Sequence, residues 1–166
     1  MATPICVITQ NVIAQAAGKL GLKCTVGGTY LAMEGPQFST RAESEWYRSL
    51  QYDVIGMTNM PEAKLAREAE LAYSTVAMVT DYDCWHDEHD DVSTASILEV
   101  LQANTDNAKD LIKALVPRLA KIEAPFKSGV HRSLEHAIAT PAENRDEKLV
   151  SKLQVIAGRV INKPGW

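Results

Sequence analysis

Three short segments carry the side chains best suited to chemistry: Glu34-Gly-Pro-Gln-Phe38-Ser39, Met57-Thr58-Asn59 and Asp81-Tyr-Asp83. Each follows an apolar stretch that reads as a strand, and in open α/β sheets ligands lie beyond the carboxyl ends of the strands. Parallel, adjacent strands would make the three converge, setting carboxylates, an aromatic ring, a thioether and hydroxyls around one crevice. Taken singly, each has a plainer role: Gly35-Pro36 as a turn, Met57 as core, Asp81 as a cap. A rival chemistry sits in the loop from Asp83 to Asp91, where Cys84, His86 and His89, with Asp87 or Asp90, could bind zinc through thiolate and imidazole. Their spacing matches no standard finger, ribbon or helical site, and a solvated acidic loop over a pocket mouth explains the same residues. The reading is therefore no metal. His131 and His136 have no partners in the pattern and read as surface residues.

The elements that must position these segments follow from periodicity and punctuation. An apolar piece over 4–8 leads into a helix over 11–17 that Gly18 or Gly21 would end. Residues 29–33 are β-rich and run into the breaker Gly35-Pro36, and Thr40-Arg-Ala-Glu43 is a capping box that opens a helix to about Leu50. Residues 53–57 form a second short strand. Pro61 suits the first position of a helix over 62–71, with Ala63, Leu65, Ala66 and Ala69 on one side. The run 75–80 reads as a third strand, covered on both faces. A helix over 93–119 follows, its buried stripe traced by Ile97, Leu98, Leu101, Ala108, Leu111, Ile112 and Leu115, with Pro117 kinking or ending it. The pattern weakens from Pro125 and recovers at Leu149, Leu153, Ile156 and Val160, an amphipathic helix. This alternation predicts an α/β layer protein around a mostly parallel sheet.

At 166 residues and 46% hydrophobic, the chain is the size of one compact domain. A mean hydropathy of −0.15 and the lack of a long apolar run argue for a soluble protein and against a membrane span. Residues 1–108 carry 15 acids against 6 Lys and Arg, and residues 109–166 carry 6 against 11, giving −9 and +5. No Lys or Arg lies between Arg67 and Lys109, so the middle offers no stripe for nucleic acid or anionic lipid. Three cysteines without framework spacing, and a first basic residue as late as Lys19, point to a reducing cytoplasm.

The segments 28–43, 53–69 and 77–86 closely resemble the second half of the S-methyl-5'-thioadenosine phosphorylases, within the trimeric purine nucleoside phosphorylase family. The resemblance runs through roughly residues 3 to 120 and fades past about Pro125. It implies a three-layer nucleoside phosphorylase-type α/β fold with a mixed, mostly parallel sheet, here a single domain incomplete at the amino-terminal side. It also implies phosphorolysis of methylthioadenosine to adenine and 5-methylthioribose 1-phosphate in purine and methionine salvage, by a homotrimer with phosphate as co-substrate and no cofactor. On this resemblance Phe38 stacks on the purine, Met57 lies under the ribose with its backbone meeting the sugar hydroxyls, Ile55 and Ser39 belong to the substrate site, and Thr58 helps hold phosphate. Asp81 faces purine N7 as general acid and Asp83 faces the exocyclic amine. A leaving purine needs a proton at N7, and an aspartic acid in a water-poor pocket can give it. Ser39 and Asp81 stand where family members using 6-oxopurines have Glu and Asn, which indicates a 6-amino purine. Val92, Thr94, Ile97 and Leu98 align with the pocket for the 5' substituent, and their mostly apolar character suits a methylthio group.

The family's amino-terminal half, with its Gly-rich phosphate loop, Arg-His pair and Thr-Ala segment, has no counterpart before Gly27. An exposed sheet edge and apolar surface are therefore expected. The alternative reading is a non-catalytic remnant that binds purine nucleosides or assembles with a full-length homologue.

Overall fold

The computed structural model describes residues 1–86, 94–122 and 125–162, with backbone only at 94–97 and 125–126. Helices α1 (Val7–Lys19), α2 (Arg41–Ser49), α3 (Asn59–Glu68), α4 (Thr94–Leu119) and α5 (Glu147–Ile161) accompany strands β1 (Tyr30–Ala32) and β2 (Val54–Gly56). The described chain gathers into two compact units. One comprises Gln10–Met60 and Thr75–Lys121, the other Met1–Thr9, Pro61–Ser74 and the residues from Ile122 onward.

In the first unit β1 and β2 pair in parallel, Tyr30 opposite Val54, Leu31 opposite Ile55 and Ala32 opposite Gly56. Parallel neighbours need a crossover, and α2 supplies it. Its start is fixed as the sequence predicts: the Thr40 hydroxyl accepts from the Glu43 N–H at 3.4 Å, and the Thr40 N–H donates to the Glu43 carboxylate at 2.7 Å. The Thr40 N–H, with the Thr40 hydroxyl donating to the same carboxylate at 2.8 Å, holds the Glu43 carboxyl below its ordinary value. Gln51, at φ 58, ends the helix, and its N–H donates to the Arg48 carbonyl. Core packing sets Ala16 and Ala17 of α1 against Leu111 of α4, with Ile13, Leu22, Ala114 and Leu115 around them.

Several expectations need correction. The run 75–80 carries no ladder among the described residues, so the sheet has two strands rather than three. Strand geometry is stabilised by a neighbour's backbone groups, and none is supplied here; Val76, Met78 and Val79 are exposed rather than covered on both faces. On α4 the buried stripe narrows to Leu111, flanked by half-buried Ala108 and Leu115, while Leu98, Leu101 and Ile112 are exposed. The slender alanine face of α1 covers only one side of that helix. Finally, α3 begins at Asn59, so Pro61 stands third in it rather than first.

In the second unit Ala157, Val160 and Ile161 of α5 pack with Leu134, Ile138 and Val150. Of the predicted stripe only Val160 is buried; Leu149, Leu153 and Ile156 face solvent. Glu70 ties this unit together. It adopts φ 56 just after α3, and the Leu71 N–H reaches back to the Ala66 carbonyl at 2.8 Å. Its carboxylate takes a fork from Arg159 at 2.9 and 2.5 Å and the Leu134 N–H at 3.0 Å. The Arg159 hydrogen bonds chiefly hold the Glu70 carboxyl below its ordinary value of 4.5. Because the folded value is the lower one, the stabilisation is complete above 4.5 and is lost as pH falls through the folded value. Glu70→Gln should lower Tm at pH 7 by roughly 3–8 °C, and its deficit should shrink toward pH 3. Calorimetry of both proteins across that range checks it.

Candidate active site

The register of β1 and β2 brings their carboxyl ends side by side, and the Met33 N–H extends the ladder to the Gly56 carbonyl at 2.9 Å. The segments after the strands therefore start as neighbours. Gly35, at φ 73, leaves the chain where a side chain cannot go: a Cβ there would lie 2.1 Å from the Met57 methyl carbon. The Met57 thioether thus lies over the turn that leads to Phe38. Ser39 donates its hydroxyl to the Met33 sulfur at 3.6 Å, and its carbonyl accepts from the Cys84 thiol at 3.5 Å. That last contact links the third predicted segment to the first.

Within the third segment the carboxylates are held locally. Asp81 accepts from the Thr80 hydroxyl and Asp83 from the Cys84 N–H, each at 2.9 Å. Tyr82 stacks on His86 at 4.5 Å and meets Trp85 edge-on at 5.6 Å, while the Arg48 guanidinium of α2 lies 3.9 Å from the centre of the Trp85 ring. The segment before it is fastened by Thr75 hydroxyl donation to the Asn59 side chain and by Asn104 of α4 donating to the Val79 carbonyl at 3.0 Å. The sequence reading missed Gly35 as the seat of Met57 and Arg48 as a partner of Trp85. A Gly before Pro reads first as a turn, and nothing in spacing pairs residues 48 and 85.

Ile55, Met57, Ser39 and Asp83 are half-buried, and Thr58 and Asp81 are exposed. Phe38 is 82% exposed, its ring open, and Leu98 is also exposed. The described residues alone do not enclose Asp81 in the water-poor pocket expected for it. Val92 and the side chains of Thr94 and Ile97 lie outside the described residues, as do Asp87, His89 and Asp90 of the rival zinc set. Among the described residues no three His, Cys, Asp or Glu gather as ligands. A cavity of about 340 Å³, lined by Thr3, Cys6, Arg67, Tyr73, Lys127 and Val130 among others, belongs to the other unit and contains none of the predicted site residues.

The family model of the phosphorylase superfamily matches residues 7–117. The chain belongs to that superfamily. It is 50% identical over 161 residues to an S-methyl-5'-thioadenosine phosphorylase of Rhodospirillum rubrum, covering 97% of this chain and 55% of that protein. The same figures hold for the enzyme of that name from Bradyrhizobium diazoefficiens. A crystal structure of a methylthioadenosine phosphorylase from an Antarctic soil metagenomic library superimposes with TM-score 0.86 at 44% identity, covering 94% of this chain and 55% of that one. The methylthioadenosine phosphorylase of Schistosoma mansoni in complex with adenine gives TM-score 0.69 at 28% identity over 81% of this chain and 52% of that one. The chain thus spans about half the length of the curated relatives it matches. Within the phosphorylase superfamily its fold is an incomplete nucleoside phosphorylase-type α/β layer with a short parallel sheet. Among its described residues no helix is long and apolar enough to cross a membrane.

The Gly35 to Met57 contact is open to direct test. Gly35→Ala adds a Cβ into the Met57 methyl at a positive φ, so Tm should fall by several degrees. In a double-mutant cycle with Met57→Ala the two losses should be less than additive, and the Met57 methyl resonance should move in Gly35→Ala. Additive losses with an unmoved resonance would separate the two residues.

Proposed function

We propose that this chain forms the purine side of an enzyme that cleaves S-methyl-5'-thioadenosine with inorganic phosphate, giving adenine and 5-methylthioribose 1-phosphate. The observation that carries it is 50% identity over 97% of the chain to proteins bearing that enzyme's name. The convergence of the segments after β1 and β2 supports it.

In this reaction a phosphate oxygen bonds to the anomeric carbon as the bond to purine N9 breaks. The bonding electrons pass into the purine ring, and N7 takes up a proton. Asp81 is the acid that supplies it, and Asp83 accepts from the exocyclic amine. Phe38 stacks on the base, Ile55 and Met57 line the sugar, and Thr58 donates to phosphate. Ser39 with Asp81 selects a 6-amino purine. Thr94, Ile97 and Leu98 take the methylthio group in an apolar setting. Phosphate is a co-substrate, and no organic cofactor or metal has a step to perform. The complete enzyme is a cytoplasmic homotrimer of purine and methionine salvage, with no nucleic-acid or membrane partner.

The open ring of Phe38 and the exposed Asp81 favour a second reading for the chain on its own: a purine-nucleoside binder, or a piece that assembles with a full-length homologue, without turnover. Positioning and electrostatic terms supply most of the rate in such reactions, and an open site forfeits both. Adenine release from methylthioadenosine, with and without phosphate, separates the readings when the 166-residue chain is compared with a longer chain that includes the rest of a relative's length. Phosphate-dependent release by either chain supports the proposal. Binding without release by both leaves the second reading. In whichever chain turns over, Asp81→Asn should cut adenine release by about 10²–10⁴-fold and shift preference toward 6-oxopurines, because an amide can donate to O6. An unchanged adenine preference would remove Asp81 from this role.

A further inference from the structure

We infer that Arg48 is a positioning residue for the two carboxylates of the 81–86 segment, acting through Trp85. The inference rests on the reading of Asp81 and Asp83 as purine-facing groups. The hydrogen bonds of those carboxylates come from adjacent residues, the Thr80 hydroxyl and the Cys84 N–H. Such bonds fix a carboxylate relative to its own backbone. They do not fix it relative to Phe38 and Met57, where the purine and sugar would lie.

The described contacts that cross from this segment to the β1-α2-β2 unit include two. One is the Cys84 thiol on the Ser39 carbonyl at 3.5 Å, from a weak donor. The other is the Arg48 guanidinium, 3.9 Å from the Trp85 ring centre, well within the range of cation–π attraction. Trp85 is packed with the rest of the segment, meeting Tyr82 at 5.6 Å and His86 at 5.1 Å, and Tyr82 stacks on His86. Asp83 lies between Tyr82 and Trp85 in sequence, so the aromatic cluster carries its backbone. Arg48 itself is held by the last turn of α2, whose start is locked by Thr40 and Glu43. A chain of contacts therefore runs from the capping box through α2 and Trp85 to the segment that bears Asp81 and Asp83.

The test is adenine and hypoxanthine binding by calorimetry to the full chain and to Arg48→Gln, Arg48→Lys, Trp85→Leu and the Arg48→Gln/Trp85→Leu pair, with Tm measured for each. Arg48→Gln should weaken adenine about 3- to 10-fold and narrow its preference over hypoxanthine, at a Tm near that of the parent. Arg48→Lys keeps the cation but loses the planar guanidinium over the ring, and should lose less adenine affinity than Arg48→Gln. In the Trp85→Leu background, Arg48→Gln should add nothing. Equal adenine affinity in Arg48→Gln overturns the inference and leaves the purine-facing reading standing. So does a loss in Arg48→Lys as large as in Arg48→Gln; should Arg48→Gln fail to fold, adenine affinity equal to the parent in Trp85→Leu overturns it instead. No adenine binding by the parent chain overturns this inference, while turnover by the longer chain would still leave the purine-facing reading standing.

Discussion

The parallel pairing of Tyr30–Ala32 with Val54–Gly56 is the constraint on which the candidate site depends. A single step of register would move Ala32 away from Gly56 and turn Ile55 and Met57 to the opposite face of the sheet. Several local features hold the register where it is. Asp53 accepts from the Thr29 N–H at 2.6 Å at the entrance to the strands, and Tyr30 lies across Gly56 so closely that a Cβ there would fall 1.8 Å from its hydroxyl. Beyond the exit, Met57 occupies the space over Gly35. Glycine at 56 and at 35 thus does two jobs at one end of the sheet: it admits a neighbouring side chain, and at 35 it also supplies the positive φ of the turn.

Around this small, well-defined centre the chain buries little. The two described cores are an alanine-rich seam between α1 and α4 and a cluster on one side of α5. Large apolar side chains stay exposed on 75–80, on the outer face of α4 and along α5. Isolated exposed apolar residues are ordinary, but runs of them on adjoining turns and on an unpaired extended segment mark surface that other polypeptide covers in a complete fold. That agrees with a chain spanning about half the length of its curated relatives.

What was legible in the sequence divides along the same line. Features set by a few adjacent residues were readable: the Thr40 and Glu43 capping box, the two short strands and the turn at Gly35. Features that need a partner were not. Apolar residues at 76, 78 and 79 declare that a segment could be a covered strand, yet its ladder requires backbone from elsewhere. Leu101 and Ile112 widen the apolar stripe of α4 beyond Leu111, but how much of that stripe is buried depends on the width of the neighbour, and α1 offers alanines. Tertiary contacts between distant polar or aromatic side chains leave no periodic trace at all. Arg48 over Trp85 and the Cys84 thiol on the Ser39 carbonyl are of that kind.

The same division bears on the chemistry. Direction and reach of the candidate groups come from local structure, and these the chain has: a sheet end that sets Met57 against the turn before Phe38, and an aromatic cluster that carries Asp83. Medium is another matter. A carboxyl that is to hold a proton near neutral pH and release it to a leaving base needs water kept away, and water is kept away by covering surface rather than by any one residue. Asp81 and Phe38 face outward in this chain. Recognition of a purine ring tolerates an open face, because stacking and hydrogen bonds to one edge survive partial solvation. Proton transfer and phosphate attack do not, since both draw on a desolvated, preorganised field. On the roles proposed for Phe38 and Asp81, binding thus asks less of the surrounding chain than catalysis does, and covering those two side chains is what catalysis would add.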